Sequence, residues 1–294
     1  MVVRELLSKV RRIEIRTRQA VDELFAGAYH SVFRGRGIEF DEVREYVPGD
    51  DVRAIDWHVT ARLNAPYVKQ FVEERELNVA LLVDLSGSGD FGSVGRSKNE
   101  LAAELAGLLA FSAIRNGDRV SLLLFTDREE LHLPPRKGRR QALRLIRELL
   151  AAERTSRGTN IRHALDTHLR AAKRRGIVFL ISDFLDTGFE PSLRLAGLRH
   201  DVIAVRLLDP REAELPPLSW ATFEDAETGE IRATGPWGKG RRRAFAAARQ
   251  ALHEESRRTI RRAGVDLIDL RTDQDYLPPL IQFFRRRARH PHRG

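Results

Sequence analysis

Four short segments of this chain are dominated by aliphatic and β-branched residues, and they constrain the fold more than any other feature. They are residues 79–83, 119–125, 177–182 and 201–206. Apolar runs without regular polar alternation are typical of strands buried on both faces of a parallel sheet. The residues between them have helical spacing and predict helices at 98–115, 139–150, 160–174 and 191–198. This alternation predicts an α/β fold with a doubly wound, mainly parallel sheet of the Rossmann type.

The flanking regions extend this pattern in both directions. Towards the C-terminus, "WATFEDAETGEIRAT" predicts a hairpin around Gly229, which we expect at an edge of the sheet. A basic helix at 239–263, the strand "VDLIDL" and a helix at 276–288 follow. Towards the N-terminus, residues 4–25 predict an amphipathic helix, followed by a loop-rich, partly β segment with a turn at Pro48.

We expect three parts in the chain. An N-terminal helical and β extension occupies residues 1–75, the α/β domain occupies 76–288, and a basic tail occupies 289–294. The sequence has 294 residues, of which 42% are hydrophobic, and that is enough for one sizeable core with an appendage.

The stretch "NVALLVDLSGSGDFGSVG", residues 78–95, leads from the first strand into small polar residues. Ligands of open α/β sheets bind beyond the carboxyl ends of the strands, so this loop is a candidate site. "GSGDFG" has the form G-x-G-x-x-G, but Asp84 and Asp90 would repel a pyrophosphate. A P-loop, a nucleophile elbow and an aspartyl-phosphate phosphatase each lack a required residue here. A helix-entry turn and a site for a hard divalent cation stay open.

Two later stretches favour the cation site. Asp84, Ser86 and Ser88 have the spacing D-x-S-x-S, Thr159 lies on the loop of "SRGTNIRHAL", and Asp183 follows the strand in "VFLISDF". If the strands at 79–83 and 177–182 are neighbours, both aspartates emerge at one sheet edge, with Thr159 reaching in from the adjoining loop. Carboxylate and hydroxyl oxygens suit Mg²⁺.

At these residues the sequence resembles the von Willebrand factor A fold. The metal-ion-dependent adhesion site of that fold combines D-x-S-x-S, a threonine in a Gly-Thr loop and an aspartate at a later strand end, which here correspond to Asp84, Ser86, Ser88, Thr159 and Asp183. The upstream stretch "FRGRGIEFDEVREYVPGDDVRAIDWHVTARLNAPYVKQFVEERE" resembles the signature of the DUF58 family. Together the two resemblances cover roughly residues 30–210.

The resemblance implies a binding function. Such a site holds Mg²⁺ or Mn²⁺ and takes an acidic side chain of a partner protein as its remaining ligand. DUF58 proteins of this type are typically associated with MoxR-type AAA+ ATPases that remodel or assemble client proteins. No Walker motif is present, so ATP hydrolysis would belong to the partner. No base or nucleophile is evident beside the motif, and we expect an adaptor rather than an enzyme.

The charge of the chain supports an alternative function. The formal net charge is +9, and only six of the 51 basic residues are lysines. Arginine runs at 139–140, 241–243 and 285–287 suggest nucleic-acid binding, although we interpret them as solvated helix faces. Against nucleic acid stand 42 acidic residues and the lack of a recognition or stacking motif.

Composition also limits compartment and chemistry. The chain has no cysteine, which excludes disulfides and thiolate metal sites and fits a reducing compartment. No signal-peptide pattern and no run of ~20 apolar residues is present, so we expect a cytoplasmic protein without a membrane span.

Two further groups of residues have modest interpretations. We expect Arg53, Asp56 and Trp57 to tie the N-terminal region to the sheet by ion pairs and packing, with a partner surface as the alternative. We interpret His163 and His168, five positions apart on a helix, as surface residues.

Overall fold

The computed structural model describes residues 8–15, 17, 20–21, 39–63, 65–72, 76–93, 95–213, 221–224, 230–234 and 238–289. Its strands are β1 (Glu39–Glu45), β2 (Tyr67–Val72), β3 (Asn78–Asp84), β4 (Arg119–Phe125), β5 (Glu129–Arg136), β6 (Ile177–Ser182), β7 (Asp201–Leu208), β8 (Ala221–Glu224), β9 (Ile231–Thr234) and β10 (Asp266–Arg271). Its helices are α1 (Trp57–Leu63), α2 (Lys98–Arg115), α3 (Arg139–Ala151), α4 (Ile161–Ala171), α5 (Glu190–Arg199), α6 (Pro210–Ala213), α7 (Lys239–Arg262) and α8 (Leu277–Arg289).

The main sheet has six strands in the order β10-β7-β6-β3-β4-β5. All neighbouring pairs are parallel except β4 and β5, which are antiparallel. Counted along the chain within this sheet, the order is 3-2-1-4-5-6 read from the β5 edge, as in doubly wound nucleotide-binding sheets. The predicted doubly wound, mainly parallel α/β fold is therefore confirmed.

The continuous apolar strands are buried because helices cover both faces of the sheet. One face packs against α2, α3 and α8, and the other against α4, α5 and the C-terminal part of α7. Alternate residues of one strand belong to different cores: Val79 and Leu81 contribute to the first, and Ala80 and Leu82 to the second. The apolar runs have no polar alternation because neither face meets water.

The N-terminal helix joins the first of these cores. Residues 8–15, 17, 20 and 21 are helical, and Val10, Ile13 and Val21 are buried in the core with α2. A Cβ atom on Gly107 of α2 would lie 2.8 Å from the Cγ2 atom of Ile13. The glycine thus allows the two helices to approach closely.

Two elements differ from the sequence prediction. Strand β5 was not predicted, because it carries Pro134 and Pro135 and is largely exposed; prolines are tolerated there because it is an edge strand. Strands β8 and β9 do form an antiparallel pair, but as a separate two-stranded sheet, so the predicted position at an edge of the main sheet is wrong. The turn at Gly229 lies outside the described residues.

A small two-stranded sheet precedes the main sheet in the chain. Strands β1 and β2 form an antiparallel pair, and α1 lies between them in the chain. Asp56 accepts hydrogen bonds from the backbone N–H groups of His58 and Val59 at the start of α1. In the described part of the chain no helix is long and apolar enough to cross a membrane.

Candidate functional site

The two aspartates of the predicted site lie at the carboxyl ends of the two neighbouring strands between which the strand order of the sheet reverses. Asp84 is the last residue of β3, and Asp183 directly follows β6. These strands are parallel neighbours, with Val83 opposite Ile181. From β3 the chain continues to β4 on one side, and from β6 to β7 on the other. Crevices at such switch points are where open α/β sheets bind ligands.

Asp84 is buried and held by two short contacts. The backbone N–H of Ser86 donates to Oδ1 at 2.8 Å, and the Ser182 hydroxyl donates to Oδ2 at 2.7 Å. Burial, followed by the nearby charge of Asp183, raises the pKa of Asp84 to about 7. Its partners are thus a backbone N–H and a hydroxyl, both neutral.

The turn after β3, called the serine turn below, carries Ser86 and Ser88 and lies between the two aspartates at the sheet edge. It is a short 3-10 helix, Gly87–Asp90, that follows β3. The hydroxyl oxygens of Ser86 and Ser88 lie 3.1 Å apart, and the Ser88 hydroxyl also hydrogen-bonds the carboxylate of Asp183. Asp84, Ser86, Ser88 and Asp183 are thus brought together at one sheet edge.

The loop that carries Thr159 is anchored near this edge of the sheet. The carbonyl of Arg157, two residues earlier, accepts a hydrogen bond of 2.8 Å from the N–H of Gly87 in the serine turn. On the other side of Thr159, the N–H of Asn160 donates to the carbonyl of Thr126 at 3.0 Å. The loop is therefore anchored to both the serine turn and the end of β4.

A buried lysine, Lys98, completes the site. Its Nζ atom donates to Asp183 Oδ2 at 2.8 Å and to Glu212 Oε1 at 2.6 Å. Burial raises the pKa of Asp183, but Lys98 and the Ser88 hydrogen bond lower it more, so it lies below its ordinary value. Sequence reasoning missed both Lys98 and Glu212. The only signal was a lysine directly after a helix-capping serine, where basic residues are disfavoured.

The backbone beside Asp183 is strained. Phe184 has φ of +55°, which is uncommon for a large side chain, and it is almost fully buried. Its N–H donates to the Ser182 hydroxyl at 3.1 Å, while the N–H of Leu185 donates to Asp183 Oδ1 at 3.3 Å. Such strain persists where the surroundings hold it, and functional sites are where it concentrates.

The donor set fits a hard divalent cation. Six oxygens at about 2.1 Å from Mg²⁺ place neighbouring ligands about 3.0 Å apart, close to the observed separation of the two serine hydroxyls. Each carboxylate oxygen of Asp84 and Asp183 accepts at least one hydrogen bond, so both carboxylates are held in position at the sheet edge. Among the described residues no group of three or more histidine and acidic side chains is arranged for a metal, so hydroxyls would have to contribute.

Comparison with known proteins places this chain in a family. Residues 42–256 match the family model described as "Protein of unknown function DUF58". This chain belongs to the DUF58 family. The uncharacterized protein Mb1516 of Mycobacterium bovis is 35% identical over 288 residues, which cover 97% of this DUF58 protein and 90% of the relative. The uncharacterized protein YeaD of Bacillus subtilis is 27% identical over 190 residues, covering 65% of this chain and 45% of YeaD.

Solved structures resemble the DUF58 protein at low identity. The conserved hypothetical protein BatB from Bacteroides thetaiotaomicron is 18% identical, with a TM-score of 0.42, and the match covers 63% of this chain and 99% of BatB. The manganese-loaded TRAP protein of Plasmodium vivax is 19% identical, with a TM-score of 0.34, and the match covers 45% and 57% of the two chains.

Several residues outside the site of the DUF58 protein differ from expectation. Trp57 is 66% exposed and Arg53 is exposed too, so the expected packing of this segment is wrong. His168 is largely buried, with its ring centroid 5.0 Å from that of His200, and is not a surface residue. Arg287 is buried and pairs with Asp201 and Asp266, whereas Arg285 and Arg286 are exposed as expected.

Proposed function

We propose that this DUF58 protein is a protein-binding module whose site holds Mg²⁺ or Mn²⁺ and captures an acidic side chain of a partner. The proposed ligand set is Asp84, Ser86, Ser88, Thr159 and Asp183. The supporting observation is the meeting of two buried carboxylates and two hydroxyls at the switch point, beside the ammonium group of Lys98.

The residues of the chain prepare this site in distinct ways. Ser86 and Ser88 present neutral oxygens, so direct ligands add little negative charge. Asp84 is oriented by Ser86 N–H and the Ser182 hydroxyl, and Asp183 by Leu185 N–H and Lys98. When bound, a divalent ion would supply an electrophilic coordination position for a carboxylate from outside. Because this needs no base or nucleophile, the proposed role is binding and not catalysis.

The proposed partner is a MoxR-type AAA+ ATPase, with client proteins handled by the pair. This partner class is the one that the resemblance of the upstream signature implies, and the positive net charge of +9 is suited to an acidic surface. ATP hydrolysis would belong to the partner.

Metal binding is tested with Mn²⁺ by isothermal titration and by electron paramagnetic resonance. We expect the unmodified protein to bind Mn²⁺ and Asp84→Asn to weaken the affinity at least about tenfold, because the mutation removes a buried ligand charge. Asp118→Asn is the matched control. Asp118 is also buried but accepts hydrogen bonds from Leu77 N–H and Asn116 at the opposite end of the sheet.

Two outcomes would contradict the proposed metal site. If the unmodified protein binds no Mn²⁺, or if Asp84→Asn and Asp118→Asn behave alike, the proposed site is wrong.

Partner binding is tested with a purified MoxR-type ATPase from the same organism. We expect the DUF58 protein to capture this ATPase in Mg²⁺, and we expect the capture to be lost with chelator and with Asp84→Asn. Oligonucleotide binding that weakens steeply with salt and ignores chelator would favour the arginine-rich faces instead.

A further inference from the structure

Lys98 is an unusual residue to find beside a candidate metal site. It is only 2% exposed, although lysine is almost never fully buried unless it is paired. It is the first residue of α2, after the capping residue Ser97, and the N-terminus of a helix favours anions rather than cations. Both placements are unfavourable for an ammonium group, so its two carboxylate partners must hold it there.

These two carboxylates belong to different parts of the molecule. Asp183 is a proposed metal ligand, whereas Glu212 lies on α6. The Oε2 atom of Glu212 accepts from Asp209 N–H at 3.4 Å, and the Glu212 carbonyl accepts from Arg249 of α7 at 3.3 Å. Lys98 therefore links the site to a neighbouring structural network.

Asp209 adds two further hydrogen bonds to that network. It accepts hydrogen bonds from the hydroxyls of Ser93 at 2.5 Å and Thr272 at 2.7 Å. The segment carrying Glu212 is thereby tied to the loop before α2 and to the end of β10. Glu212 is therefore positioned beside Lys98 by contacts that do not involve the proposed metal ligands.

We propose that Lys98 is the resident cation of the site and competes with a divalent ion for Asp183. When the ion is present, Glu212 retains the ammonium group. This inference rests on the proposed function and adds its regulation. Two carboxylates, of Asp183 and Glu212, share the ammonium group of Lys98, and Asp84 lies beside Asp183 at the same sheet edge, so the site has carboxylate oxygens for a divalent ion as well as for Lys98.

The competition has a consequence for partner binding. The positive charge of Lys98 opposes a second cation at the same carboxylate, and at short distance in a buried site this repulsion is large. The ion is therefore held weakly by the protein alone and firmly once a partner carboxylate adds negative charge. Metal and partner bind with positive coupling, and each raises the affinity for the other by the same factor.

The test measures the Mn²⁺ affinity of the full chain by titration calorimetry and electron paramagnetic resonance. Lys98→Met keeps the length of the side chain and removes its charge, and we expect it to raise the affinity at least about tenfold. Lys9→Met is the control, because Lys9 contacts Glu100 of the same helix but is partly exposed. We expect no change in affinity for that variant.

A second variant keeps the test decisive if Lys98→Met does not fold. Glu212→Gln removes one of the two carboxylates that contact the ammonium group and leaves it with Asp183. Lys98 then competes more strongly for Asp183, so the affinity for Mn²⁺ should fall about tenfold. In the Lys98→Met background the same substitution should have a smaller effect. Circular dichroism shows which variants retain the native fold.

Each outcome is informative. If the unmodified protein binds Mn²⁺ and folded Lys98→Met binds it no more tightly, the competition is overturned while the metal site stands. An unchanged affinity in Glu212→Gln has the same meaning. If none of the folded proteins binds Mn²⁺, the proposed function fails and the competition with it.

Discussion

Two buried cations, Lys98 and Arg206, stand in opposite electrostatic surroundings. Arg206 is 1% exposed and makes a bidentate pair with Asp269 at 2.8 and 3.1 Å, and its third contact is the His253 carbonyl at 2.6 Å. Arg257 also contacts Asp269, so two guanidinium groups share one carboxylate. At Lys98, one ammonium group is shared by two carboxylates.

The pKa values of titratable groups near the two cations are shifted in opposite directions. Burial and then the charges of Arg206 and Arg249 lower the pKa of His253, whereas burial and then Asp183 raise the pKa of Asp84. In the contacts themselves, two guanidinium groups share one carboxylate at Arg206, and two carboxylates share one ammonium group at Lys98. A buried ion pair alone does not indicate a functional site, because most such pairs are structural. The sign of the imbalance indicates which region can accept a further cation.

The largest expected effect separates the two cations by their response to metal. In chelator, Lys98→Met should lower the free energy of unfolding by about 3–5 kcal/mol, because two buried carboxylates lose their partner. Arg206→Met should cost about 3 kcal/mol, since Asp269 is 28% exposed and keeps Arg257. Saturating Mg²⁺ should restore most of the loss in Lys98→Met and none in Arg206→Met. Urea denaturation with and without Mg²⁺ makes the measurement.

Equal responses of the two variants to Mg²⁺ would break the comparison. Lys98 would then be a structural cation like Arg206, and the excess negative charge would have no relation to metal binding.

A smaller effect concerns a buried pair of basic groups, His168 and His200. Burial, followed by His200 and His132, lowers the pKa of His168 to about 4, and that of His200 is lowered as well. Above the unfolded value of about 6.5, His168 is neutral in both states. As pH falls below 6.5 the unfolded chain binds the proton first, so stability is lost down to about pH 4.

This loss amounts to about 3 kcal/mol at most for His168. His168→Phe should flatten the decline of unfolding free energy between pH 6.5 and 4 in chelator. The exposed His58 supplies the control, because His58→Phe should leave the slope unchanged. Identical slopes in all three proteins would mean that His168 is as solvated in the folded state as in the unfolded chain.

The smallest effect is expected for a charge that stays in water. The Arg53 side chain is 93% exposed and lies 3.6 Å from Asp51. Arg53→Met should change the free energy of unfolding by less than about 0.5 kcal/mol, with or without Mg²⁺. A loss above about 1 kcal/mol would restore the expected packing role of this segment and would show that pairing without burial also stabilises the protein.

The apolar runs determined the sheet. Continuous hydrophobic strands avoid water on both faces only when they lie between two layers of helices. The parallel core and most helix positions therefore followed from the local pattern. The positions of Asp84 and Asp183 at strand ends followed from the same pattern, because parallel strands end at a common edge. What remained unspecified locally was β5, whose prolines and exposure give no strand signal.

Only the tertiary structure decided which charges meet. Lys98 and Glu212 are 114 residues apart, and no local spacing relates them. The exposure of Trp57 and the contact between His168 and His200 likewise depend on how distant elements pack. Hydrophobic periodicity is a local property and can be read from the chain. Burial and electrostatic environment belong to the packed molecule, and they turned a serine-rich turn into a site with an excess of negative charge.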